Sequence, residues 1–350
     1  ESPMKAAVYL GPENIEVQVL PDPECGADEA VIKVEVCSVC GTDIRIYNYG
    51  QANVVPPQVI GHEIAGTIEA VGDEVEGCEV GQRVTVATPV GCGDCKFCEK
   101  EMYNLCIDFT ALGYHYPGGF AQYMLIPGTS IRQRSIIPLP DNVSFEHAAL
   151  VEPLSCVVNG QEYLNIEEGD AVVVFGAGTI GCMQVELAKA RGAGKIILIG
   201  RSKDRLELAE RFGADVYLSV LDGDPVDRVI EETGGYGADV TICCCSDPNA
   251  NLQALQLTAK RGRMSYFAGL PKTDPTIEFD SNRLHYWEIS LFGAFASNVR
   301  QYKEALELIS SGKFDAEKFI TSKFPLEGLE PSIRASKTVK GLKMLALPQL

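Results

Sequence analysis

From Gly169 onward the hydrophobic pattern changes character. "AVVVF" at 171–175 is an unbroken apolar run, fit for a strand buried on both faces, and "KIILI" at 195–199 repeats it. Between them, "MQVELAKARGA" spaces its apolar residues as a helix does and ends on glycine. The alternation continues through "RLELAERFGAD", "VYLSV", "DRVIEETG", "ADVTICCC", "NLQALQLTAK" and "GRMSYFAG". Repeated strand–helix–strand units predict an α/β fold with a doubly wound parallel sheet. The first 150 residues read differently. Short β-like runs such as "EAVIKVEVCSV" and "EIAGTIEAVG", separated by turn residues, predict an irregular β-rich barrel. After about residue 290, "NVRQYKEALELISSG" predicts one amphipathic helix before a short β-like tail.

Composition narrows the function. A chain of 350 residues, 46% of them apolar, suits two domains with a sizeable core in each. Its 30 basic and 48 acidic residues give a net charge of −18, which argues against nucleic acid or an anionic membrane as partner. No run of 18 apolar residues occurs, and the opening "ESPMKAAVYLG" lacks the apolar segment of a secretory signal. Thirteen cysteines, an odd number, suggest reduced thiols and a cytoplasmic location.

The densest chemistry is "CGDCKFCEKEMYNLC", which spaces Cys92, Cys95, Cys98 and Cys106 as C-x2-C-x2-C-x7-C. Two-residue gaps let a turning backbone aim successive thiolates at one tetrahedral zinc. Four protein ligands leave no open position, so this zinc is expected to be structural; iron–sulfur clusters use other spacings. A second constellation is dispersed. "CSVCGTD" holds Cys37 and Cys40, "VIGHEIAG" holds His62 and Glu63, and "ALVEPLSC" sets Glu152 in an apolar segment where an ionised carboxylate needs a partner. One mixed site with a position left for substrate accounts for all of them. Taken one by one, His62 is equally a core histidine and Glu152 a helix cap.

"VVVFGAGTIG" places Gly176, Gly178 and Gly181 in G-x-G-x-x-G directly after a strand, with Ile180 in the same turn as it opens a helix. The first glycine permits the turn, the second lets the backbone approach a pyrophosphate, and the third packs helix on strand. The helix N-terminus then offers unpaired amides to phosphate. The acid that selects NAD belongs about 20 residues on, at the tip of the next strand. That tip is Gly200, followed by Arg201, Ser202 and Lys203, with Arg205 one turn later. Loss of the acid removes the repulsion of a 2′-phosphate, and Arg201, Ser202 and Arg205 can receive it. NADP is therefore expected as the preferred cofactor, with NAD as the alternative.

Taken in order, "CGTD", "GHE", the four-cysteine loop, "GGFAQY", "VEPL" and "GAGTIG" resemble the zinc-dependent medium-chain dehydrogenases over essentially the whole chain. "PPQVIGHEIAG" and "VEPLSCVVNG" resemble the polyol (sorbitol-like) dehydrogenase branch. The resemblance implies a GroES-like catalytic domain over residues 1–153, rejoined by 291–350, and a Rossmann dinucleotide-binding domain over 154–290. It implies two zinc ions per chain. Cys40 and His62 would hold the catalytic one, with Glu63 and Glu152 as carboxylate ligands. Thr42 would bond the substrate hydroxyl, Glu152 would act at the reacting centre, and Asp43 would orient His62. Cys37 would be a packed thiol. The implied substrate is a small polyol or its ketose, oxidised or reduced at a secondary position, and the implied assembly is a homodimer or homotetramer. A sugar-alcohol phosphate or L-threonine is the alternative substrate. Relatives often carry histidine two residues after the "CGTD" aspartate; here Arg45, permanently protonated, cannot relay a proton in the same way.

Overall fold

The computed structural model describes residues 3–338 and 341–350. The chain divides into two compact units, Glu1–Ser155 with Ala296–Leu350, and Cys156–Phe295.

The second unit is built on six parallel strands. Ala171–Phe175 lies at the centre, with Lys195–Gly200 and Val216–Ser219 successively on one side. On the other side lie Ala238–Cys243, Thr258–Tyr266 and Ser290–Gly293. Val172, Val173 and Val174 are wholly buried, which is why the run lacks polar alternation: helices cover both faces of a parallel sheet. The helices begin where capping residues allow. Asp224 accepts the Val226 amide at 2.9 Å and Pro225 fills the first turn of Pro225–Glu232. The strand order reverses between Ala171–Phe175 and Ala238–Cys243, and the chain ends of such a switch point are where doubly wound sheets bind ligands.

The first unit is β-rich. Ala30–Ser38 pairs antiparallel with Glu63–Val71, Tyr123–Ile126 and Lys343–Ala346. Register brings distant residues to one end of this sheet: Ser38 stands opposite Glu63 and also opposite Leu345. Ile32, Val34, Cys37, Ile64, Ile68, Val84, Val86 and Phe120 share its core. Each fully buried aliphatic side chain contributes roughly 1.5–3 kcal/mol. A one-residue slip would turn such residues to the other face, so the core pins the register that assembles the site. Among the described residues no helix is long and apolar enough to cross a membrane.

Candidate active site

The four-cysteine loop closes as its spacing suggests. Cys92, Cys95, Cys98 and Cys106 offer sulfurs that all lie within 4.8 Å of one another. Cys92 Sγ is 4.0 Å from Cys98 Sγ, and Cys95 Sγ is 3.9 Å from Cys106 Sγ. Zn–S bonds of about 2.3 Å at tetrahedral angles place sulfurs about 3.8 Å apart, close to both of these spacings. The amides of Cys92 and Asp108 donate to Cys106 Sγ at 3.2 and 3.3 Å. The Cys95 thiol is drawn down to about 6, chiefly by the backbone amides of Cys98 and Ile107. Cys92 is pushed up to about 12, chiefly by the Asp94 side chain.

The dispersed constellation assembles around the end of Ala30–Ser38. Cys40 caps the helix Gly41–Tyr49: its sulfur accepts the Thr42 amide at 3.5 Å, and Asp43 Oδ2 accepts the Cys40 amide at 2.9 Å. Cys40, His62 and Glu63 each present a ligand atom within 4.8 Å of the others. Asp43 is fully buried and its Oδ1 lies 3.5 Å from His62 Nδ1, leaving Nε2 to face the group. Thr42 is half-buried beside Cys40. Glu152, half-buried in the first turn of Val151–Glu162, stands outside this group of three, although its charge acts on Tyr114 and Lys343. Cys37 is buried in the core. Arg45 is exposed and donates to Gln51 Oε1 at 2.9 Å.

Two residues at this site escape sequence reasoning. Lys343 Nζ donates to both carboxylate oxygens of Glu63 at 2.6 Å and to the Val39 carbonyl at 3.3 Å. Both side chains are sealed from water, at 4% and 0% exposure. Burial alone would weaken the lysine's hold on its proton, but Glu63, Cys40 and Glu152 outweigh it and keep the ammonium charged. The other is Tyr114, whose hydroxyl is 3.3 Å from His62 Nε2 and whose ring lies 4.9 Å from the imidazole, tilted by 33°. Burial holds this phenol well above the ordinary tyrosine range, so it is neutral and can donate. The signals were there: a lysine inside the apolar tail "GLKMLALP" and a run of aromatics in "GYHYPGG".

The glycine loop follows Ala171–Phe175 and opens the helix Thr179–Ala190, whose second residue is Ile180. A Cβ on Gly181 would lie 1.7 Å from the Gly176 carbonyl oxygen, so helix–strand contact alone demands glycine there. Gly176 has φ +107°, the region glycine favours. Gly178 differs, since a Cβ there meets no protein atom within 4 Å. Packing within the chain therefore leaves this position open. Gly200 is buried, and a Cβ on it would come 3.0 Å from Ala177 and 3.1 Å from Leu206. Packing thus leaves little room for an acid at the strand tip. Arg201 is exposed; Ser202 Oγ caps the helix Lys203–Ala209 by accepting the Arg205 amide at 3.4 Å; Arg205 is half-buried. Lys203 is engaged with Asp222 at 3.2 Å.

Comparison with known proteins bears on these groups together. Residues 26–141 match the alcohol dehydrogenase GroES-like domain, and residues 179–311 match the zinc-binding dehydrogenase family. The chain is 35% identical over 350 residues to sorbitol dehydrogenase of Halalkalibacterium halodurans, covering 99% of each chain. It is 34% identical over 350 residues to L-threonine 3-dehydrogenase of Pyrococcus horikoshii, covering 98% of this chain and 97% of the relative. A solved structure from Sinorhizobium meliloti 1021, described as a zinc-binding dehydrogenase bound to NADP, superposes with a TM-score of 0.92 at 29% identity, covering 99% of this chain and all of the other.

Proposed function

The chain belongs to the zinc-binding alcohol dehydrogenase family, and on that footing we propose that it interconverts a secondary alcohol of a polyol or sugar alcohol and its ketone, with NADP(H) as the favoured hydride carrier. It is an oxidoreductase acting on alcohols. The observation that carries the finer reading is the contrast between its two metal-ligating groups: four thiols that fill a tetrahedron, and Cys40, His62 and Glu63, which leave room.

Cys40 and His62 would hold the catalytic zinc, with the carboxylates Glu63 and Glu152 beside them, and the four cysteines would hold the structural zinc. Zinc supplies Lewis acidity that eases proton loss from an alcohol, and the nicotinamide supplies the hydride acceptor. The chain does the rest. Asp43 fixes both the Cys40 turn and the face of His62, as carboxylates behind metal-binding histidines do. Thr42, next to Cys40, would bond the reacting hydroxyl. Gly176, Gly178, Ile180 and Gly181 would form the phosphate turn, and Arg201, Ser202 and Arg205 would receive a 2′-phosphate. Gly200, packed near Ala177 and Leu206 at the strand tip, brings no carboxylate to repel a 2′-phosphate, which favours NADP over NAD. We infer a homodimer or homotetramer.

The test is initial rates of NADP reduction over a panel of C4 to C6 polyols, with NAD, L-threonine and 2-butanol alongside. Turnover of a polyol, faster with NADP, supports the reading. Silence on every free polyol, with threonine or a phosphorylated polyol oxidised instead, overturns its substrate class.

A further inference from the structure

Tyr114 has a partner that catalysis would take away. Its hydroxyl bonds His62 Nε2 at 3.3 Å, while Nδ1 of the same ring faces Asp43 Oδ1 at 3.5 Å. With Nδ1 facing Asp43, the nitrogen that Tyr114 reaches is the one left for a metal that Cys40, His62 and Glu63 would hold together. The phenol then needs another partner on the same side of the imidazole. A half-buried hydroxyl left unpaired costs about 1–3 kcal/mol, so this position rewards a ligand that offers an oxygen there.

The loop holds the phenol in place. Gln58 Nε2 donates to the Tyr114 carbonyl at 3.2 Å and to the His115 carbonyl at 3.4 Å, and the His115 amide donates to the Ala111 carbonyl at 3.1 Å. Tyr114 also lines a cavity of about 480 Å³ with Ala52, Asn53, Val55, Gln58 and His115. That is within the size range of small-molecule sites. Tyr114 thus touches both His62 of the metal-ligating group and a space able to take the rest of a short polyhydroxylated chain.

Granting the alcohol dehydrogenase chemistry proposed above, we propose that Tyr114 determines specificity: its hydroxyl hydrogen-bonds the hydroxyl on the carbon next to the one oxidised, so that vicinal diols are selected over simple secondary alcohols. Asn53 and His115 are the polar groups of the cavity available to hydroxyls farther along the chain. A site built to bond a hydroxyl rejects the analogue that lacks it far more strongly than an apolar pocket rejects an added hydroxyl.

The pair 2,3-butanediol and 2-butanol differs by that one hydroxyl. Wild-type protein loaded with zinc and NADP should show kcat/KM at least about tenfold higher for the diol, equivalent to about 1.4 kcal/mol. Tyr114→Phe keeps the ring and removes the oxygen. It should lower the diol-to-monool ratio of kcat/KM about tenfold, while metal analysis still finds wild-type zinc content. Binding offers an independent readout: calorimetry with NADPH present should show the diol, but not 2-butanol, binding about tenfold more weakly to the variant. Equal wild-type kcat/KM for the two alcohols overturns the proposal before any variant is made. So does a Tyr114→Phe protein in which both alcohols lose the same factor, which would make Tyr114 a support for His62 alone. Failure to oxidise any alcohol with zinc and cofactor bound would instead overturn the underlying enzymatic reading, and this inference with it.

Discussion

Replacing Lys343 by methionine would expose how much of the metal site is built from charge. The ammonium donates to both oxygens of Glu63 at 2.6 Å, and neither group touches water. Lys343→Met keeps the aliphatic stem and leaves a buried, unpaired carboxylate. Breaking a buried pair from one side costs about 3–5 kcal/mol. For a folded unit of this size, each kcal/mol moves the melting temperature by roughly 2–4 °C, so the metal-stripped variant should melt about 6–20 °C below metal-stripped wild type. Zinc changes the sum, because Glu63 lies within 4.8 Å of the Cys40 and His62 ligand atoms and a bound dication supplies the missing countercharge. The deficit should shrink in zinc-loaded protein. By linkage, the variant should then bind catalytic zinc more tightly, by up to roughly two to three and a half orders of magnitude for 3–5 kcal/mol. Calorimetric melting of stripped and loaded protein, with chelator competition for affinity, measures both sides. Adding Glu63→Gln to Lys343→Met should restore most of the stripped-state stability, since the orphan charge is gone. Equal destabilisation with and without zinc, or unchanged zinc affinity, would refute the reasoning.

Three further outcomes follow from the geometry. In metal-stripped protein at pH 7, Cys95 should react with limiting iodoacetamide before Cys92, although Cys92 is the more exposed: Cys95 titrates at about 6 and Cys92 at about 12. The preference should fade below pH 6 as the Cys95 thiolate takes its proton, and peptide mass spectrometry showing Cys92 alkylated first would contradict it. Gly178→Ala should leave the melting temperature within about 2 °C yet weaken NADP binding at least about tenfold, whereas Gly181→Ala, 1.7 Å from a carbonyl, should lower the melting temperature whether or not cofactor is present. Gly200→Asp with Arg201→Ile should shift kcat/KM toward NAD by about an order of magnitude or more. Gly200→Ala is the control for crowding against Leu206, and an unchanged NADP/NAD ratio in the double variant would sink the cofactor argument.

What could be read in advance was what sequence-local physics determines. The strand Ala171–Phe175 announces itself because burial on both faces leaves no polar alternation, and the glycine turn after it because its spacing has steric consequences within six residues. The cysteine loop is legible for the same reason. Lys343 was not, since its partner lies 280 residues away and meets it only through two successive strand pairings. In "GYHY" any of three ring-bearing residues could have turned inward. Backbone geometry decides it: the Ala111 amide ties His115 Nδ1 at 3.2 Å on an exposed side chain, while Tyr114 reaches His62. His147 is half-buried and meets Glu317 at 2.7 Å. The "CCC" run, expected within a strand, ends it at Cys243.

The pairing of Lys343–Ala346 with Ala30–Ser38 also has a meaning in time. A nascent chain emerges from its N-terminus, and domains fold as units as they appear. Residues 156–295 form a contiguous unit that can close on its own while synthesis continues. The Cys37–Ser38 end of its strand must wait through all of it for Leu345 and Ala346, although Tyr123–Ile126 can already have paired with residues 30–33. Glu63 waits too, its carboxylate without the ammonium that neutralises it. A polypeptide halted before Lys343 would possess every cysteine and histidine of the metal sites and still lack the charge that makes the pocket habitable, so completion of the metal pocket is bound to the arrival of Lys343.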